Sequence, residues 1–167
     1  MRVLLLRLKL RRRLGVGRGV RLGKGVRIEV EPGARVELER GCRLGARTRL
    51  VARGGILKVG REAVLGERCI VVAHAGVEVG EGCRLGDWVT VTDFEPIADS
   101  VEHPLRTQGV RSAPIRLAPG AVVDHGANIL AGVAIGDHAR VGAHAIVVRD
   151  VPDGGRAEGA SARMTTR

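Results

Sequence analysis

Aliphatic residues return every sixth position along most of this chain. Val16, Leu22 and Ile28 form one triplet, Leu38, Leu44 and Leu50 a second, Val59, Leu65 and Val71 a third, and Val79, Leu85 and Val91 a fourth. After a gap the series resumes as Leu117, Val123, Ile129, Ile135, Val141 and Val147. Four residues beyond these positions sit small or β-branched side chains: Val20, Val26, Cys42, Thr48, Ala63, Cys69, Cys83, Val89, Ala121, Ala127, Val133, Ala139 and Ala145. A six-residue unit is too short for a helix and fits a strand plus a corner, so three units close one turn of a triangular coil. The pattern predicts an all-β fold, a parallel β-helix of about six coils, in which each coil buries one aliphatic side chain per side against its neighbours.

The spacing also marks where the coil is elaborated. Extra residues enter only after the third side: the steps from Ile28 to Leu38, Leu50 to Val59 and Val71 to Val79 are 10, 9 and 8, and that from Val91 to Leu117 is 26. Residues 92–114 are therefore expected to protrude as one long loop, and function concentrates on such loops. The organisation follows as an N-terminal arm over 1–13, a β-helix over 14–152 with this insertion, and a C-terminal tail over 153–167. Composition agrees, because a chain with one Phe, one Trp and no Tyr must have a thin aliphatic interior. The three cysteines fall at the small-residue position and read as core hydrophobes; their odd number and spacing disfavour a disulfide framework or zinc site.

Charge changes the picture at one end only. Ten Lys or Arg and no acid lie within residues 1–27, leaving 18 cations against 18 acids in the remaining 140 residues. The arm, with Val3, Leu6, Leu10 and Leu14 near helical spacing, suits peripheral contact with an anionic membrane or a phosphorylated ligand. It equally suits a solvated cover over the first coil, paired with acids of a neighbouring subunit. Nucleic-acid binding is not expected without aromatic stacking platforms. No apolar run approaches the roughly 18 residues of a membrane span, and the early run 3–6 is shorter than a signal core of about 7 to 15, so a cytoplasmic location is expected.

The run from Val133 through Pro152 resembles the closing coils of hexapeptide-repeat acyltransferases, which include galactoside, maltose and capsule-sugar acetyltransferases. The likeness extends over residues 14 to about 163. It implies a left-handed coil, a homotrimer, and acetyl-CoA and acceptor bound in clefts between subunits. The function it implies is acyl-CoA-dependent O- or N-acetyl transfer to a sugar or glycan, and the alternative is an inactive trimer serving as a ligand-binding or scaffold protein.

Acyl transfer needs a base for the acceptor's proton, and an imidazole with an ordinary pKa of about 6.5 suits that task. In galactoside-type relatives the catalytic His falls three residues after the last inward aliphatic before the loop, which here is Phe94. In capsule-sugar relatives an Asp-Phe-acid-His pattern precedes a Pro and a Gln-Gly pair. This chain has Asp93-Phe94-Glu95-Pro96, then His103-Pro104 and Gln108-Gly109, so Pro96 stands where the likeness expects His. His74 takes the same corner offset one coil before Phe94 and should lie beneath the loop's base. His103 lies in the loop. His125 is two past Val123 and should stack on Asp87, two past Leu85, in an Asp-His arrangement. Asp93 is expected to orient the base or bind sugar hydroxyls, and Glu95 to serve at the loop mouth or as a base; each could instead pair with an arginine such as Arg106 or Arg111. Trp88 is expected to point outward from its strand, against a sugar face or, preferably, the next subunit. By likeness, Gly142-Ala143 meets the pantetheine amides, and Arg149 and Arg163 face the CoA phosphates. His138 and His144 are six apart and project from adjacent sides, so no metal site is expected.

Overall fold

The computed structural model describes residues 13–97 and 109–159, with the backbone of 163–165. His103, Arg106 and most of the arm lie outside the described residues, as does the side chain of Arg163. No helix occurs among the described residues. Three parallel sheets form the sides of a triangular prism. The first face stacks Leu14–Val16, Arg35–Leu38, Ile56–Val59, Gly76–Val79, Ile115–Leu117 and Ala134–Ile135. The second stacks Arg21–Leu22, Arg43–Leu44, Val64–Leu65, Arg84–Leu85, Val122–Val123, Arg140–Val141 and Arg156–Glu158. The third stacks Arg27–Val30, Arg49–Ala52, Ile70–Ala73, Thr90–Thr92, Asn128–Ile129 and Ile146–Val147. Six coils result, each strand paired with its counterpart one coil away.

The sixfold aliphatic series forms the ladders of this prism. Val16, Leu38, Val59, Val79, Leu117 and Ile135 are in register on the first face. Ile28, Leu50, Val71, Val91, Ile129 and Val147 are in register on the third. From the second coil onward these side chains are almost wholly buried. The small residues occupy the inner corners, where less room remains. Thr48, the only hydroxyl among them, is buried but satisfied: its Oγ1 donates to the Gly66 carbonyl at 2.7 Å and accepts from the Cys69 N–H at 3.3 Å. Longer strands add inward rows that the sixfold count alone does not reveal, notably Val36, Leu57, Val77 and Ile115, all buried.

Two boundaries differ from expectation. The insertion starts later, because Thr92 still pairs with Val72 on the third face. Phe94–Pro96 and Val110–Ser112 then pair antiparallel, with Glu95 opposite Arg111, so the outgrowth rises on a short hairpin stem. At the other end the coil continues past Pro152. Val151 bridges to Ile135, and Ala157 extends the second-face ladder beside Val141 before Arg163–Thr165 folds back antiparallel.

All three cysteines are buried, and burial pushes each thiol up to about 11. An unfolded thiol ionises near about 8.5, so between there and about 11 the unfolded chain sheds a proton that the folded chain keeps. This contribution to stability is complete below that window and is lost as pH rises through it. A triple Cys→Ala variant, whose new side chains match Ala63 and Ala121 at the corner of Cys42 and Cys83 and Ala127 at the corner of Cys69, should lose less stability than the parent on going from about pH 8 to about pH 10.5. Denaturant unfolding at both pH values checks this, and equal losses would contradict it.

Candidate active site

The corner joining the third face to the first carries the outgrowth, and its backbone has an acceptor problem. In the second coil, the N–H groups of Arg53 and Gly54 donate to the Ala73 carbonyl one coil above, at 2.8 and 3.2 Å. The equivalent N–H groups of the third coil face the place where the chain departs into the hairpin. Asp93 supplies the missing acceptors. It continues the inward row Val30, Ala52, Ala73, and its side chain is fully buried. Its carboxylate accepts from the N–H of His74 at 2.7 Å, and from those of Ala75 and Gly76 at 2.7 Å each. Its own carbonyl accepts the Ala113 N–H at 2.9 Å, which closes the root of the insertion. Below, a side chain on Gly54 or Gly55 would strike the carbonyl oxygens of His74 and Ala75. The corner is thus fixed from both sides.

His74 sits in this corner, half buried, directly beneath Phe94, with ring centroids 4.4 Å apart and planes tilted by 40°. Among the described residues neither nitrogen of its ring has a hydrogen-bond partner, so both remain available to a ligand. Alongside, on the first face, runs an apolar groove of about 640 Å³ floored by Gly55, Ala75, Gly76 and Val77, walled by Ile56 and Ile115, and roofed by Pro114 at the end of the insertion. Lys58, Glu78 and Arg116 rim it and pair with one another.

Asp93 requires a correction: it is expected to meet substrate or the imidazole, but its oxygens are sealed from solvent and spent on backbone N–H groups. It positions His74 through the main chain. Glu95 is exposed on the hairpin stem, two residues outward from Asp93. Pro96 follows it, also exposed.

Asp87, Trp88 and His125 collect at a different corner, between the second and third faces. Trp88 does not point from a strand. It occupies a turn position with φ of 63°, is 57% exposed, and stacks under the Arg68 guanidinium at 4.4 Å from its ring centre. His125 does stack on Asp87, but not in the expected manner. The Asp87 backbone N–H donates to His125 Nδ1 at 3.0 Å, while the carboxylate accepts from the Glu67 N–H at 2.7 Å and stands 3.7 Å from the ring nitrogen. With Nδ1 an acceptor, the neutral ring carries its hydrogen on Nε2. The carboxylate therefore does not hold the tautomer in which Nε2 is a free base.

Gly142-Ala143 lies on this second-to-third corner, two coils above Trp88, whereas exposed Arg149 lies on the third-to-first corner, three coils above His74. The two corners are separated by the width of the third face, about 16 Å for the five residues from Trp88 to Asp93. A single chain brings Asp93, Glu95 and His74 together, and brings Asp87, Trp88 and His125 together, but not the two sets.

No protein-family model matches the chain. A probable acetyltransferase of Mycobacterium tuberculosis is 33% identical over 121 residues, covering 72% of this chain and 40% of that protein. A serine acetyltransferase of Helicobacter pylori is 31% identical over 105 residues, covering 63% of this chain and 58% of its own length. The chain thus spans about half the length of these curated relatives. Among solved structures, a variant of AntD, an N-acyltransferase from Bacillus cereus in complex with dTDP-4-amino-4,6-dideoxyglucose and coenzyme A, superposes with a TM-score of 0.69 at 17% identity, over 96% of this chain and 87% of that one. The chain is thus similar in sequence to acetyltransferases and in fold to an N-acyltransferase. Its prism is a left-handed parallel β-helix.

His138 and His144 are turn residues with φ of 51° and 57°, their rings lying over Gly120 and Gly126 one coil below. Among the described residues no group of three or more His, Cys, Asp or Glu is placed to hold a metal ion. Asp93 is one position whose burial sequence reading misjudges. The signal was present: Asp93 is two past Val91 as Ala73 is two past Val71, which marks a core position and not a loop mouth. Asp93→Ala would reproduce the residue found at Ala52 and Ala73 but leave three N–H groups without their acceptor. It should lower stability by about 1–3 kcal/mol, read by denaturant unfolding, although no cavity forms by comparison with the coils below. Unchanged stability would refute the capping role.

Proposed function

We propose that this chain is an acyl-CoA-dependent acetyltransferase that acts on a hydroxyl or amine of a sugar or glycan, with His74 as general base. The observation that carries the reading is an imidazole whose two nitrogens have no hydrogen-bond partner among the described residues, held on a rigid corner at the root of the long insertion. The names of the curated relatives support acetyl transfer, and the coenzyme A and amino-sugar nucleotide bound to AntD support the donor and acceptor class. A ring nitrogen of His74 accepts the proton as the acceptor oxygen or nitrogen attacks the thioester carbonyl. The carbon–sulfur bond then breaks, and coenzyme A leaves as the thiol with that proton. Phe94 limits the ring's rotation, and Asp93 fixes the backbone beneath it. Use of an acyl-CoA donor supports a cytoplasmic location.

A homotrimer completes the site. The outward row of the third face over the upper coils is Ile70, Thr90, Asn128 and Ile146, all uncharged, with Val72, Thr92 and exposed Val148 beside it. Packing that face around a threefold axis sets the second-to-third corner of one copy beside the third-to-first corner of the next. Trp88, His125 and Gly142-Ala143 of one subunit then face His74 and Arg149 of its neighbour, with the CoA chain running between them.

Pro96, standing where the likeness expects a histidine, favours the alternative of an inactive binding trimer. Turnover separates the two. Purified protein with acetyl-CoA and a panel of nucleotide sugars, glycans and L-serine should release CoA with a sugar acceptor. His74→Gln should then lower kcat by about 10²- to 10⁴-fold, with CoA binding retained. CoA binding without turnover on any acceptor would establish the scaffold reading, and turnover confined to serine would overturn the acceptor class.

A further inference from the structure

Several cations of the described prism are paired within it. Arg35 meets Glu37, Arg49 meets Glu29, Arg53 meets Glu31, Lys58 meets Glu39 and Glu78, and Arg61 meets Glu81. Four arginines of the first two coils have no such pair and gather in one place. Arg18 and Arg40 occupy one corner, one coil apart, and Arg21 and Arg43 are register partners at the start of the second face. Together they line a groove of about 280 Å³ floored by Gly19 and Gly41. All four are exposed, and among the described residues none has a hydrogen-bonded or ion-paired partner for its side chain. Glu62 is the one carboxylate on the rim; it lies over Gly41 and pairs with none of them. The outward row continuing from Arg21 and Arg43 is Val64, Arg84, Val122 and Arg140, which adds cations and aliphatics but no acid.

We infer that this groove binds the phosphate groups of an anionic phospholipid surface. Four guanidinium groups in a two-by-two array match phosphate oxygens, to which arginine donates two hydrogen bonds at once. A second copy of the chain is a poor occupant, since the acids of the first face are already paired in cis. The N-terminal arm is excluded by sign, because residues 1–27 hold no acid. The arm's sequence interleaves Val3, Leu4, Leu5, Leu6, Leu8 and Leu10 with arginine and lysine, a composition suited to a lipid headgroup layer. Arm and groove are thus alike in the sign of their charge, and the inference stands apart from the acyl-transfer reading.

The test is flotation of the full-length chain with phosphatidylcholine vesicles, alone or with about one-third phosphatidylglycerol. The parent should partition onto the anionic vesicles and not the neutral ones. Arg40→Gln with Arg43→Gln, which leaves the arm intact, should weaken partitioning by about tenfold or more. Arg84→Gln with Arg140→Gln removes the same charge from upper coils and should change it by less than about twofold. Circular dichroism verifies that both variants fold. Equal losses in the two pairs would reduce the effect to net charge, and no loss in either would leave the arm as sole anchor; each overturns the groove. Tight binding to soluble polyphosphate without vesicle binding overturns the membrane source.

Discussion

Every feature of this molecule depends on coils that stack in phase. A parallel pairing between coils fixes which residue lies above which, so a side chain at one corner meets its counterpart about 4.8 Å away and little else. The core is accordingly one-dimensional, made of columns of like residues instead of a folded jumble. An aliphatic column needs only residues of matched width, which is why a chain with two large aromatic residues can bury its interior. The same constraint forbids an extra residue within a strand, and pushes length variation to the third-to-first corner. The long insertion leaves the prism at that corner because it is where the columns permit a departure.

Departure has a cost in hydrogen bonds, and Asp93 offsets it. In an uninterrupted stack, each corner's N–H groups donate to the carbonyls of the next coil. At the insertion the main chain turns away, and a carboxylate in the core takes the place of those carbonyls. Burying a charged group in an aliphatic prism is favourable only when its partners are prearranged, and here three consecutive N–H groups meet it. The result is a rigid ledge for His74. Its imidazole is positioned by main-chain geometry and by the face of Phe94.

The fold was legible because its period is written in the residues themselves: the inward aliphatics from Val16 to Val147 emerged as ladders in the register that their spacing implies. The site was less legible, for three physical reasons. Whether a residue between two period marks lies inward depends on strand length, and the third-face strands run two residues beyond the sixfold count, which turned Asp93 from a loop-mouth acid into a core one. Backbone groups carry no sequence signature, so the donation from the Asp87 N–H to His125 could not be anticipated, and it reversed the tautomer expected of that pair. Trp88 was assigned to a strand when it holds a left-handed turn position, a conformation that most residues avoid and that glycine fills at the equivalent Gly25 and Gly126. His74 was placed beneath Phe94 by counting alone.

The sealed root at Asp93 and Ala113 has an evolutionary corollary. Since the prism's last obligation to the outgrowth is met by one carboxylate and one carbonyl, what lies between Phe94 and Ser112 can be lengthened, shortened or replaced with little consequence for the stack beneath. The make-up of the outgrowth and the folding of the prism are thereby put under separate control, and lineages sharing this scaffold are free to diverge in the one while inheriting an unaltered frame.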